Sequence, residues 1–106
     1  MNEAEFNRKV EKTLRRIEQA VEDSGIDIEF ENAGDILTLD FTDGSKIIVN
    51  KQGAAAQIWV AARSGGYHYS YRDTTDLWVN DQSGAELFGE LSRFISEQAG
   101  APVRIG

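Results

Sequence analysis

The chain has 106 residues, with 18 acidic and 11 basic side chains, no cysteine and one histidine, so its net charge is -7 at neutral pH. This length has room for one domain, residues 1–106, with a single core. The lack of cysteine excludes disulfides and thiolate metal sites, and one imidazole cannot form a multi-histidine zinc site. The acidic balance argues against nucleic acid as a partner and favours cations or basic protein patches.

No stretch of the chain approaches the 18 or more apolar residues that a membrane span requires. The first residues, MNEAEF, also lack the basic start and apolar run of a signal peptide. We therefore expect a soluble, cytoplasmic protein without a membrane segment.

Two amphipathic helices are predicted, one near each end of the chain. Apolar residues at three- and four-residue spacings predict a helix over residues 3–23, which Ser24 and Gly25 would end. Ser83 and Glu86 match a capping box, which predicts that the second helix begins there and ends near Gly100.

Between the helices, apolar and polar residues alternate in six short segments bounded by glycine-rich turns. Alternation with a period of two is typical of half-buried strands. The predicted strands are residues 26–31, 36–41, 46–52, 57–63, 67–71 and 77–80. This order predicts an α+β two-layer sandwich, in which both helices pack on one face of an antiparallel sheet of five or six strands.

Trp59 is the most informative residue of the predicted sheet. In the segment 57–63 the two-residue period places Ile58 and Val60 on the core face and Trp59 with Gln57 on the opposite face. An exposed indole framed by polar groups is typical of a protein-binding surface. The alternative is a sheet covered on both faces, with Trp59 buried.

Acidic residues are concentrated in one segment. Residues 17–45 contain no lysine or arginine but hold nine of the acids. Two interpretations are open: a solvated acidic surface that protects an edge strand from pairing with other chains, or a weak, unselective site for hard cations such as iron, manganese, calcium or magnesium. The candidate ligands are Glu18, Glu22, Asp23, Asp27, Glu29 and Glu31.

No catalytic motif accompanies these features. His68 and Ser70 share a strand face, but no third group at a suitable spacing would orient the histidine. The pair Gly65 and Gly66 lacks the Gly-Lys-Ser/Thr ending of a phosphate-binding loop. We therefore expect a protein that is not an enzyme.

Four segments carry a resemblance to a known family. They are IIVNKQ (residues 47–52), QIWVA (57–61), GGYHYSY (65–71) and LWVN (77–80). Their order and spacing resemble the frataxin family in its bacterial form, and the resemblance extends over nearly the whole chain. One departure is the link at residues 53–56, Gly-Ala-Ala-Ala, where many relatives carry a proline.

The resemblance implies an iron-binding accessory and regulatory protein of iron-sulfur cluster assembly. It implies weak binding of Fe(II) or Fe(III) by an acidic ridge that corresponds to the six acids above. Because Gln19 replaces an acid and the turn at residues 24–25 is short, we expect fewer ions or lower affinity than in some relatives.

The resemblance also implies partners. A cysteine desulfurase and an iron-sulfur scaffold protein would contact the sheet face formed by Trp59, Asn50, Gln52 and Gln57. The protein would be a monomer that can form iron-dependent oligomers. The alternatives are an iron-oxidising or iron-storage protein and an acidic protein-binding module without a metal role.

Overall fold

The computed structural model describes residues 1–106 and contains two helices and one six-stranded sheet. The elements are α1 (Glu3–Asp23), β1 (Ile28–Ala33), β2 (Ile36–Phe41), β3 (Lys46–Gln52), β4 (Gln57–Ala62), β5 (Gly65–Arg72), β6 (Leu77–Asn80) and α2 (Leu87–Ala99). Each strand pairs antiparallel with the next along the chain, in the order β1 to β6. The predicted α+β architecture is confirmed. Neither helix combines the length and the apolar character that a membrane-spanning helix needs.

One core joins the helices to one face of the sheet. The buried apolar stripe of α1, Phe6, Val10, Leu14, Ile17 and Val21, follows the predicted three- and four-residue spacing, and Ile58 and Val60 of β4 lie in the core as predicted. Trp78 lies in this core, where its indole Nε1 donates a hydrogen bond to Thr13 Oγ1 at 3.0 Å. The largest fully buried side chains are Tyr69, Phe94, Ile17, Leu37, Leu39, Ile47, Ile58, Leu87, Leu91 and Ile95.

The first strand lies two residues further along the chain than predicted. The predicted strand at residues 26–31 is β1 at Ile28–Ala33 in the structure. The amide of Ile28 donates to the carbonyl of Ile26 at 2.8 Å, so the chain is still turning at that point. At the other end, a two-residue turn at Gly34 and Asp35 lets Ala33 pair with Ile36, which extends the strand.

The predicted capping box is wrong. Glu86 is itself the N-cap of α2, because its carboxylate accepts hydrogen bonds from the amides of Phe88 and Gly89 at 2.7 and 3.1 Å. Ser83 instead accepts from the amide of Ala85. The helix begins late because Glu86 forms an antiparallel bridge with Val79 of β6, which keeps its backbone extended.

A polar cluster ties α2 to the sheet. The Tyr69 hydroxyl and the Asn80 side-chain amide both donate to Glu90 Oε1, at 2.7 and 3.0 Å. Arg93 donates to Glu90 Oε2 at 3.2 Å. Burial alone would raise the pKa of Glu90, but these hydrogen bonds outweigh it and lower that pKa below its ordinary value. Burial and the hydrogen bond to Glu90 raise the pKa of Tyr69, so its hydroxyl remains a donor.

The final residues pack along α2. Ser92 Oγ accepts a hydrogen bond from the Ile105 amide, and Ser96 Oγ accepts one from the Val103 amide, each at 2.9 Å. The side chain of Ile105 is buried against the core. Two serines one helical turn apart therefore anchor the extended tail by its backbone.

Candidate functional site

The face of the sheet opposite the helices is open, and Trp59 lies near its centre. The antiparallel register places Ile36, Asn50, Trp59 and His68 side by side across β2, β3, β4 and β5. Because four adjacent strands contribute one residue each, a partner would meet a continuous row of side chains. We call this surface the open sheet face.

Trp59 is half-buried on the open sheet face, between the two alternatives of full exposure and burial. Its ring stacks on the exposed imidazole of His68, with 4.2 Å between the ring centroids and 14° between the planes. Its Nε1 donates to Gln57 Oε1 at 2.8 Å. One side of the indole is thus covered within the chain and its orientation is set before any partner binds.

The three predicted polar contact residues have different roles in the structure. The Gln57 amide is occupied, because it also donates to Ser70 Oγ and to the carboxylate of Asp81. The half-buried side chains of Asn50 and Gln52 make no hydrogen bond within the chain and are available to a partner. Gln57 therefore orients Trp59, whereas Asn50 and Gln52 are free donors and acceptors.

Two apolar side chains and one histidine on this face were missed by sequence reasoning. Ile36 and Ile48 are 42% and 36% exposed, which is unusual for large aliphatic side chains. The pairing of His68 with Trp59 could have been predicted from the sequence, because only Arg63 and Ser64 separate the paired ends of β4 and β5. Counting back along both strands from that short turn places Trp59 opposite His68.

The link at residues 53–56 closes the hairpin of β3 and β4 without a proline. Gln52 and Gln57 pair directly across it. Ala56 adopts a positive φ of 54°, a left-handed conformation that residues other than glycine seldom adopt. The departure from the family pattern therefore leaves the register of the hairpin intact.

The six candidate metal ligands lie on two sides of the edge strand β1. Glu29 and Glu31 point to the open sheet face, because Ile28 and Phe30 pack inward. Glu18, on α1, accepts a hydrogen bond from the Asn32 side chain at 2.7 Å. Glu22 and Asp23 follow it on α1, and Asp27 lies in the link to β1. The structure brings no three of these acids together in an arrangement that could hold a metal ion.

These acids nevertheless share an electrostatic property. Of the nine acids in residues 17–45, the three outside the candidate set form ion pairs: Asp35 with Lys51, Asp40 with Lys46 and Asp43 with Arg63. None of the six candidates has a cationic partner within 4.0 Å. The six acids, which we call the acidic ridge, therefore form a surface of uncompensated negative charge, on which Glu18 is half-buried and the other five are exposed.

The frataxin-like domain family model matches residues 1–101. The chain belongs to the frataxin family. Among its relatives, the iron-sulfur cluster assembly protein CyaY of Paraburkholderia phymatum is 43% identical over 105 residues, which cover 99% of this chain and 98% of that protein. The family resemblance inferred from the motifs of β3 to β6 is therefore confirmed.

Solved frataxins share the fold. The structure of frataxin from Psychromonas ingrahamii has a TM-score of 0.91 at 35% identity, covering 98% of this chain and 97% of that one. Trimeric yeast frataxin, solved in complex with ferrous iron, has a TM-score of 0.72 at 20% identity and covers 87% and 86% of the two chains. At that identity the yeast protein supports the fold alone.

Proposed function

We propose that this frataxin is an iron-binding accessory and regulatory protein of iron-sulfur cluster assembly, and not an enzyme in its own right. The observation that carries the proposal is the juxtaposition of an uncompensated acidic ridge with an open sheet face centred on Trp59. The naming of its bacterial relatives as iron-sulfur cluster assembly proteins supports the same role.

In this proposal, iron is a cargo held transiently by the acidic ridge. Carboxylate oxygens are hard donors that suit Fe(II) and Fe(III). Because Glu18 lies on one side of β1 and Glu29 and Glu31 lie on the other, no rigid chelating cage surrounds an ion. Binding would therefore be weak and reversible, which suits a protein that hands iron on or responds to its level.

The open sheet face would contact the cysteine desulfurase and its scaffold protein. Trp59 supplies a preoriented aromatic anchor, and the free amides of Asn50 and Gln52 supply hydrogen bonds beside it. Interface energy is concentrated in such central aromatic residues. The acidic ridge adjoins this face through Glu29 and Glu31, so it would add attraction for a basic patch on the same partner.

The iron part is tested by an anaerobic Fe(II) titration of 15N-labelled protein. We expect broadening of backbone amides confined to residues 18–31. The double variant Glu29→Gln and Glu31→Gln should reduce it, whereas the exposed control Asp73→Asn, distant in sequence, should not. Broadening nowhere would refute iron binding, and oxygen uptake on aerobic Fe(II) addition would favour the iron-oxidising alternative.

The partner part is tested by Trp59→Ala. We expect an unchanged circular dichroism spectrum and a loss of more than about 1 kcal/mol in binding free energy for the desulfurase–scaffold complex, because an interface anchor is removed. The matched control is Val103→Ala, which truncates a half-buried apolar residue of the C-terminal tail, outside the open sheet face. Equal affinities for the wild type and Trp59→Ala would contradict the proposed contact.

A further inference from the structure

The solvent side of α1 carries a row of three cations. Arg8, Lys12 and Arg16 are spaced four residues apart and all three are exposed. At 3.6 residues per turn, each lies about 40° further around the helix than the last, and the row is about 12 Å long. We call this row the cationic stripe. The acidic ridge and the open sheet face make no use of it.

The stripe has no partner within a chain of net charge -7. Of the eight other basic side chains, six pair with carboxylates, namely Lys9, Arg15, Lys46, Lys51, Arg63 and Arg93, and Arg72 and Arg104 do not. No carboxylate lies within 4.0 Å of any side-chain nitrogen of the stripe. Like charges four residues apart destabilise a helix. No ion pair within the chain relieves the repulsion along the stripe.

Contacts with neighbouring aromatic rings orient one side of the stripe. The Arg16 guanidinium lies 4.2 Å from the centre of the Phe88 ring. Beside the stripe, Lys9 Nζ lies 4.6 Å from the centre of the Tyr71 ring. Lys9 also pairs with Asp76 at 3.7 Å, whereas Arg16 has no carboxylate partner, so its contact with the ring orients it and leaves its charge accessible. The stripe is thus partly preorganised to receive an anion.

The surroundings of the stripe limit what that anion can be. The stripe lines an open concavity of about 550 Å³ together with Glu11, Arg15 and Gln19 and with no apolar residue, whereas small-molecule pockets are lined mostly by apolar and aromatic side chains. Glu3 and Glu5 precede the stripe on α1, and Glu18 and Glu22 follow it. A long polyanion such as nucleic acid would extend beyond the stripe and meet these carboxylates.

A short acidic peptide fits these limits. An extended chain rises about 3.3 Å per residue, so about four residues span the stripe. We propose that the cationic stripe of α1 docks a short Asp- or Glu-rich segment of a partner protein. The cationic stripe would bind an acidic segment, whereas the acidic ridge would bind a basic surface. One molecule could therefore bind both kinds of partner at once.

The test uses the full 15N-labelled chain titrated with an acetylated hexaglutamate peptide at low ionic strength. We expect chemical-shift changes centred on residues 8–16 and a loss of binding as salt is added. The double variant Arg8→Glu and Lys12→Glu should weaken binding at least about tenfold, because two of three attractive charges become repulsive. The matched control Arg104→Glu, an exposed and unpaired cation outside the stripe, should leave the affinity unchanged.

Several outcomes would overturn the proposal. They are shift changes spread over all basic residues, equal weakening by Arg104→Glu, and a single-stranded oligonucleotide that binds the stripe as tightly as the peptide. A dimer in sedimentation equilibrium that the charge-reversal variant dissociates would make a second copy the occupant instead. Arg8→Gln with Lys12→Gln provides a milder variant should charge reversal disturb folding. Peptide binding should persist in the double variant Glu29→Gln and Glu31→Gln. A failure of the proposed iron binding and a failure of the proposed peptide site can therefore be told apart.

Discussion

Replacing Glu90 by alanine should destabilise the fold far more than the loss of one partly exposed carboxylate suggests. The Glu90 side chain is only 12% exposed and accepts hydrogen bonds from two buried residues, Tyr69 and Asn80. Alanine would leave both donors without their acceptor. Glutamine keeps a carbonyl oxygen in about the same position, so Glu90→Gln is the matched control.

The magnitude follows from the donors that are left unsatisfied. An unpaired buried polar group costs about 1–3 kcal/mol. Two such groups, with some access of water at the residual exposure of Glu90, give about 2–4 kcal/mol for Glu90→Ala. We expect about 1 kcal/mol for Glu90→Gln, which loses the ion pair with Arg93 and the charge of the acceptor. Since small domains are stable by about 5–15 kcal/mol, the alanine variant should unfold at markedly lower temperature.

Urea unfolding at neutral pH measures these differences, and a double-mutant cycle with Tyr69→Phe isolates the shared hydrogen bond. We expect a coupling energy of about 1–2 kcal/mol between Glu90 and Tyr69. Because the pKa of Glu90 is lowered on folding, its stabilisation is complete above the unfolded pKa of about 4.3 and is lost as pH falls through the folded pKa. Equal stability of the alanine and glutamine variants would refute the reasoning.

Three further predictions concern other parts of the fold. Trp78→Phe should cost about 1–2 kcal/mol in urea unfolding, because the buried hydroxyl of Thr13 loses the indole donor; a neutral result would show that this bond is not stabilising. Deleting residues 103–106 should cost about 2–3 kcal/mol in the same assay through exposure of the Ile105 site, with Arg104→Ala as the near-neutral control. Hydrogen bonds from the Ser45 side chain and backbone lower the pKa of Asp43, so the stabilisation from Asp43 is complete above its unfolded pKa and is lost as pH falls through the folded pKa. Asp43→Asn should therefore destabilise the protein less at pH 3 than at pH 7, and equal losses would contradict this assignment.

The hairpin of β4 and β5 shows what the local alternation of apolar residues can predict and what it cannot. The two-residue period was sufficient to place Ile58 and Val60 in the core and Trp59 on the opposite face, because alternation is a property of each strand by itself. Whether Trp59 is free or covered depends on its cross-strand neighbour. That neighbour, His68, is set by the register of the turn and by the rotamers of both rings.

The acidic ridge and the start of α2 show the opposite case. Composition alone identified an acid-rich segment without cations, but its division between two sides of β1 depends on how α1 packs against the sheet. Likewise, the sequence around Ser83 matches a capping box, yet the bridge between Val79 and Glu86 delays the helix until Glu86 can cap it. Contacts between separate segments override the local helix-start preference where they satisfy more backbone hydrogen-bonding groups.

The sequence by itself determined the helix of residues 3–23, the six strands, the sandwich and membership of the frataxin family, since these follow from periodicity and from motif order along the chain. Only the tertiary structure decided which acids stay unpaired, which amide orients Trp59 and which cations of α1 remain free. The physical reason is that charge pairing and hydrogen bonding depend on distances of a few ångströms between residues far apart in sequence. Those distances are set by packing.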